Sequence, residues 1–150
     1  MNVTRLRLIF RLIPGLALAI GAHGAVAAEP TARDLHAASC VAALDQNTRE
    51  LAQQVQVGKD DLRGLLLERL VAGTAFVGDV YLHSEVEEKQ AKELANQALQ
   101  AQKSLPEAEL AARQTACAAE GTKLYEQSNG LEQSLVKHVA RKRMNKLLGA

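Results

Sequence analysis

The chain has 150 residues, of which 47% are hydrophobic, 23% charged and 3% aromatic. This balance is typical of a globular protein and excludes a disordered tail. The low aromatic content and the presence of only 3 Pro argue against an all-β sandwich or barrel. The sequence contains no glycine-rich phosphate loop, no CxxC pair and no HExxH motif, which excludes the commonest nucleotide and zinc signatures.

Residues 1–28 have the three parts of a secretory signal peptide. Arginines open the segment, residues 12–20 are apolar, and residues 25–28 supply small side chains for cleavage after Ala28. A retained membrane anchor is the alternative, but the apolar stretch is shorter than the roughly 20 residues that a spanning helix needs. We therefore expect cleavage and a periplasmic or secreted mature protein of residues 29–150.

Charge is unevenly distributed along this mature chain. Cleavage removes 3 of the 18 basic residues and none of the 17 acidic residues, which leaves a net charge of −2. Residues 131–150 contain five basic residues and one acidic residue, so they carry +4, and residues 29–130 carry −6. The sequence therefore predicts an acidic body with a basic C-terminal helix over residues 131–148.

Helix start and stop signals recur along the mature chain. Polar residues followed three positions later by an acidic residue predict capped helix starts, and a glycine after an apolar run predicts a helix end. The signals are the Thr31–Asp34 pair, Gly58, the acidic pair Asp60–Asp61, and the Ser-x-x-Glu pairs Ser84–Glu87 and Ser104–Glu107.

Apolar residues recur at helical spacing between these signals, which predicts an all-α fold. The segment from Leu110 to His138 keeps a heptad spacing that runs through Asn129 and Gly130, although that dipeptide also resembles a break. Two architectures fit: four helices with a turn at Ser84, or three helices with a long helical hairpin in which 60–103 is a single helix. Either is a small antiparallel helical bundle forming one domain, residues 29–150.

Cys40 and Cys117 are the only cysteines of the chain. An even count in an exported protein predicts a disulfide, and two buried free thiols are the alternative. The disulfide would close a loop of 78 residues, counting both ends, and would contribute about 4 kcal/mol in the chain-entropy model. It favours the four-helix architecture, because the long-hairpin register places the two cysteines roughly 20 Å apart along the axis.

One set of potential metal ligands consists of His36, His83, Glu87 and Cys40. His36 and His83 fall nearly level in an antiparallel hairpin, and these ligand types suit Zn or Cu. The set lacks a dense motif and competes with the disulfide for Cys40, so we predict no metal site and no cofactor.

No serine has the context of an activated nucleophile, and the clustered carboxylates lie at helix starts, where the helix dipole explains them. We therefore predict no catalytic residue.

The basic tail is the most suggestive segment for function. Its cations offset the negative end of a helix dipole, or they dock an acidic partner or an anionic membrane surface. The candidate partner-binding residues are Lys137, Arg141, Lys142, Arg143 and Lys146. A nucleic-acid partner is not expected, because the body is acidic and no aromatic residues accompany the cations.

We therefore expect an exported, non-enzymatic helical protein that binds another macromolecule of the cell envelope, as a chaperone, adaptor or inhibitor does. Two alternatives stay open: a periplasmic bundle that binds a small ligand or a metal, and a structural oligomer that pairs through the heptad spacing.

Overall fold

The computed structural model describes residues 28–149. Within this range all regular structure is helical, which confirms the all-α prediction. The predicted signal peptide lies outside the described residues except for Ala28. The helices are α1 (Ala32–Gln56), α2 (Arg63–His83), α3 (Glu88–Gln102), α4 (Glu107–Gln127) and α5 (Gly130–Leu148), and a 3₁₀ turn (Asp60–Leu62) precedes α2.

Helix α1 begins and ends at the residues that carry the predicted signals. The amide of Asp34 donates to the Thr31 hydroxyl at 3.2 Å, and the amide of Thr31 donates to the Asp34 carboxylate at 2.8 Å. At the other end Gly58 has a φ of +101°. Its amide and the next one donate back to carbonyls of the last helical turn, which is the Schellman arrangement that a left-handed glycine allows. Gly58 therefore sets the short connection to α2.

The two predicted Ser-x-x-Glu helix starts are wrong. Ser84 caps the end of α2; its hydroxyl accepts a hydrogen bond from the Val86 amide at 3.0 Å, and α3 begins only at Glu88. The Ser104 hydroxyl donates to a carbonyl of the last turn of α3, and α4 begins at Glu107 without a side-chain cap. The Ser104 hydroxyl therefore bonds to the preceding helix, and the Ser84 hydroxyl bonds within the loop that follows α2.

The continuous heptad over residues 110–138 is also wrong, because α4 and α5 are separate helices. The Asn129 side chain accepts hydrogen bonds from the amides of Leu131 and Glu132, both at 3.0 Å, and the Glu132 carboxylate accepts one from the Asn129 amide at 3.1 Å. This complete capping box starts a new helix. The chain therefore changes direction after α4.

The α1–α2 hairpin forms the centre of the molecule, and α4 and α5 each cover one half of it. The half far from the Gly58 turn is covered by α4, in a core that contains Ala37, Cys40, Leu44, Ala72, Phe76, Cys117 and Ala118. The half next to the turn is covered by α5, in a core that contains Leu51, Ala52, Val55, Leu66, Leu70 and Ala140. Because the chain breaks between α4 and α5, these two consecutive helices can each cover a different half of the α1–α2 hairpin.

Helix α3 lies along the first part of α1 and runs in the same direction. The Gln90 side chain donates to the carbonyl of Ala28 at 3.2 Å, and the Gln102 side chain donates to the carbonyl of Ser39 at 2.9 Å. The chain therefore turns at Ser84, as the four-helix architecture requires. Residues 28–149 form five α-helices in place of the predicted four or three, because the chain also breaks at Asn129.

Candidate functional site

Helix α5 carries the predicted partner-binding residues and packs with one face only. Val136 and Ala140 are buried, and Met144 and Leu147 pack against the core that α5 shares with α1 and α2. These positions recur at the spacing of a single helix face. The opposite side of α5 therefore faces solvent along its whole length.

Large apolar side chains lie on this solvent side. Leu131 is 82% exposed, Leu135 is 62% exposed and Val139 is 42% exposed. They follow one another at intervals of four residues, so their side chains are neighbours along the helix. Three exposed apolar residues in a row form a patch, in contrast to the single exposed residues that most surfaces carry.

The structure divides the five predicted cations into two groups. Arg143 forms an ion pair with Asp45 of α1, and the Lys137 ammonium lies 5.5 Å from the centre of the Tyr125 ring of α4. Both therefore contribute to the packing of α5. The remaining cations are exposed and make no ion pair within residues 28–149; they are Arg141, Lys142 and Lys146. We define the outer face of α5 as Leu131, Leu135, Val139, Arg141, Lys142 and Lys146.

Cys40 and Cys117 form the predicted disulfide, which joins α1 to α4. Their Cα atoms are 5.2 Å apart, and both side chains are buried in the core under α4. The loop between them contains the whole of α2 and α3, so the bond restricts most of the chain.

The two histidines among the potential metal ligands have different partners. The His36 Nε2 atom lies 2.8 Å from a carboxylate oxygen of Glu120, and the His83 Nδ1 atom lies 3.1 Å from a carboxylate oxygen of Asp79. Asp79 also binds Arg33 at 2.7 Å. His36 and His83 therefore do not form a pair in this structure. Glu120, which lies three residues after Cys117 on the same face of α4, was not among the potential ligands identified from the sequence.

A cavity of about 470 Å³ lies where α1, α2 and α3 meet. Its lining is mostly aliphatic, with Val41, Val80 and Leu94 among the contributors, and Tyr81 adds an aromatic ring. Asp34 also lines it; hydrogen bonds from Ser84 and Thr31 hold the pKa of this carboxyl below its usual value. The volume lies in the range of small-molecule sites, which are apolar with a few polar groups.

Among residues 28–149, no helix has both the length and the apolar character that a membrane crossing would need. Comparison of the chain with protein-family models, with curated proteins and with solved structures gives no match.

Proposed function

We propose that this protein is exported, is not an enzyme, and binds an acidic protein of the cell envelope through the outer face of α5. The observation that carries the proposal is the exposure of Leu131 and Leu135 on a helix whose other side is already buried and whose second half carries cations that make no ion pair within residues 28–149. The apolar side chains would provide the desolvated centre of an interface. The cations would steer an acidic partner and fix its orientation.

The composition of the outer face favours a protein partner over a membrane surface. A helix that lies in a bilayer interface inserts a broad apolar face. The broad apolar face of α5 is the inner one, which packs into the core. The solvent side contains the polar residues Ser134, His138 and Asn145, and α5 has no aromatic residue. An apolar stretch over Leu131, Leu135 and Val139, followed by the basic residues Arg141, Lys142 and Lys146, fits a shaped, acidic protein surface better than a lipid surface.

Two features support export. The first is the sequence pattern of residues 1–28, with its basic start, apolar stretch and small residues. The second is the buried disulfide between Cys40 and Cys117, because such bonds persist in oxidising compartments and are rare in the cytosol.

Site-specific photo-crosslinking in the host cell tests the partner. A photoreactive residue at Leu135 samples the outer face, and one at the exposed Lys123 of α4 is the matched control. We expect one acidic envelope protein to crosslink at position 135 and not at position 123. The adduct should decrease at least tenfold when Lys142→Glu and Lys146→Glu are combined, because the reversed charges repel the partner.

Other results of this experiment contradict the proposal. An adduct of twice the monomer mass would identify a second copy of the chain as the occupant. Sedimentation of the mature protein with phosphatidylglycerol vesicles, lost in the charge-reversed variant, would identify an anionic membrane. The absence of any adduct at position 135 would remove the outer face as a binding site.

The cavity between α1, α2 and α3 favours a second candidate function, the binding of a small apolar ligand. Its size and aliphatic lining carry this proposal. Ala38→Phe would place a large side chain in the cavity, because Ala38 lines it. Native mass spectrometry of protein purified from its host should show a bound small molecule, and this mass should be absent from the Ala38→Phe variant. Recovery of the ligand-free mass alone from the unmodified protein would contradict this second function.

A further inference from the structure

Four side chains of metal-ligand type meet where α1 crosses α4. His36 and Cys40 lie four residues apart on α1, and Cys117 and Glu120 lie three residues apart on α4. Each pair therefore occupies one helix face. The disulfide brings the two faces together, so that the His36 nitrogen, the Cys40 sulfur and the Glu120 carboxylate cluster, and Cys117 lines the same cavity as these three residues.

The distances among these atoms are close to those of a zinc site. The His36 Nε2 atom is 3.8 Å from the Cys40 Sγ atom and 2.8 Å from the Glu120 Oε2 atom. One ligand atom from each of the three residues lies within 4.8 Å of the others. Tetrahedral zinc, with bonds of about 2.0–2.3 Å, places neighbouring ligand atoms roughly 3.5 Å apart. The imidazole nitrogen that faces the carboxylate is also the one that faces the sulfur, so a single ion could bind all three.

We propose that reduction of the disulfide converts this cluster into a Zn²⁺ site with the ligands His36, Cys40, Cys117 and Glu120. Thiolate and imidazole are the ligands that zinc prefers in proteins. The oxidised form cannot use the sulfurs as thiolates, because they are bonded to each other. The disulfide and the metal therefore exclude one another, and the reduced protein would exchange a covalent crosslink between α1 and α4 for a coordinated one.

The electrons and protons of this exchange balance with an external dithiol. The dithiol gives two electrons and two protons, becomes a disulfide itself, and leaves Cys40 and Cys117 as thiols. Zn²⁺ then binds both sulfurs as thiolates and displaces their two protons to solvent. The sulfurs move apart to about 3.8 Å in a tetrahedral complex, which rotation of the two side chains provides once the bond is broken.

The surroundings of the cluster allow an ion to enter. His36 and Glu120 are exposed, and a cavity of about 340 Å³ lies against the disulfide, lined also by Ser39 and Arg113. Two thiolates and one carboxylate carry three negative charges, so the zinc complex keeps one. The guanidinium of Arg113 lines the same cavity and would offset that remaining charge.

Metal titration of the oxidised and the reduced protein tests the site. The mature chain is reduced with a phosphine, which takes up the oxygen of one water molecule and leaves two thiols. We expect the reduced protein to bind one equivalent of Co²⁺ with sulfur-to-cobalt charge-transfer absorption, and Zn²⁺ to displace it. The oxidised protein should bind neither ion. His36→Ala and Glu120→Gln should each weaken zinc binding at least tenfold, and the control variants His83→Ala and Glu126→Gln should leave it unchanged.

Three outcomes would overturn the proposal. The first is a zinc affinity that His36→Ala and Glu120→Gln leave intact, which would mean that the two thiolates alone bind the ion. The second is equal binding by the oxidised protein. The third concerns folding, which circular dichroism follows in parallel: if the reduced chain loses its helical signal without metal, one equivalent of Zn²⁺ must restore it, and failure to do so contradicts the site.

Discussion

Gly121 of α4 lies directly against the backbone of Ala72 in α2. A Cβ atom at position 121 would come within 2.6 Å of the Ala72 carbonyl oxygen and within 2.8 Å of the Ala72 Cβ. No real side chain occupies such a position, so α4 can approach α2 this closely only where residue 121 is glycine. The contact lies next to the core that contains the disulfide.

Gly121→Ala should therefore destabilise the protein, although alanine is the better helix former. Since the obstructing atoms belong to the backbone of α2, the two helices must move apart, and we expect a loss of roughly 1–3 kcal/mol in the free energy of unfolding. Urea denaturation measures it. Gly78→Ala is the matched control, because a Cβ at position 78 meets nothing within 4 Å; it should gain up to about 1 kcal/mol. Equal stability of the two variants would contradict the close contact.

The capping box of α1 should make stability depend on pH in acid. Hydrogen bonds from Ser84 and then from Thr31 lower the pKa of the Asp34 carboxyl below its ordinary value of 3.8. Because the folded pKa is the lower one, the contribution of this carboxylate is fully present above about pH 4. It is lost as the pH falls through the folded pKa.

Asp34→Asn removes the stabilising contribution of the ionised carboxylate. Below pH 4, the free energy of unfolding of this variant should therefore decrease less steeply than that of the parent protein. Thr31→Ala should cost about 1 kcal/mol at neutral pH, the usual value for an N-cap. Ser104→Ala is the control, since its hydroxyl caps no helix start. Urea denaturation at pH 6, 4 and 2.5 measures all three. An acid limb that is identical in the parent and in Asp34→Asn would show that Asp34 is not the group responsible.

Loss of the disulfide should lower stability substantially. The bonded cysteines are 77 positions apart in the chain, and the chain-entropy model gives about 4 kcal/mol for a loop of this length. We expect the double variant Cys40→Ala with Cys117→Ala to lose most of this amount in thermal or urea denaturation. The same loss should appear when the unmodified protein is reduced in the presence of a chelator, and a difference of under 1 kcal/mol would contradict the expected role.

Asp45 should anchor α5 to α1. It accepts hydrogen bonds from Arg49 of its own helix and from Arg143 of α5, and its side chain is only 17% exposed. Asp45→Asn should therefore cost about 1–2 kcal/mol, between the values for exposed and buried ion pairs.

Hydrogen exchange measures this effect locally. Relative to the parent protein, Asp45→Asn should accelerate amide exchange more in α5 than in α3. Asp60→Asn is the matched control, because Asp60 pairs with Arg63 at the surface and is 72% exposed; it should change stability by less than about 1 kcal/mol. Uniform exchange in the Asp45 variant would mean that other contacts hold α5 in place.

The parts of the fold that could be predicted from the sequence depend on local interactions. Thr31 with Asp34, and Gly58, determine their helix ends through atoms a few residues away. Ser84 carries the same pattern as a helix start, but its backbone amide ends α2 by donating to the carbonyl of Val80, and its hydroxyl bonds to Asp34, which the fold brings near. A capping pattern does not reveal which of two adjoining helices uses the serine.

The predicted continuous heptad over residues 110–138 was wrong because a local signal overrides a long-range spacing. Its spacing describes a long-range seam, whereas Asn129 and Glu132 form a complete local box that starts a new helix. An even count of cysteines was enough to predict the Cys40–Cys117 pair. The neighbourhood of Glu120 and His36 depends on the register between α1 and α4, and nothing local in the sequence determines it.

The position of Ala140 has a consequence for the order of events during synthesis. This residue is fully buried against side chains contributed by α1 and α2, roughly half of the chain earlier. The half of the hydrophobic interior next to the Gly58 turn therefore stays uncovered during synthesis until α5 has been made.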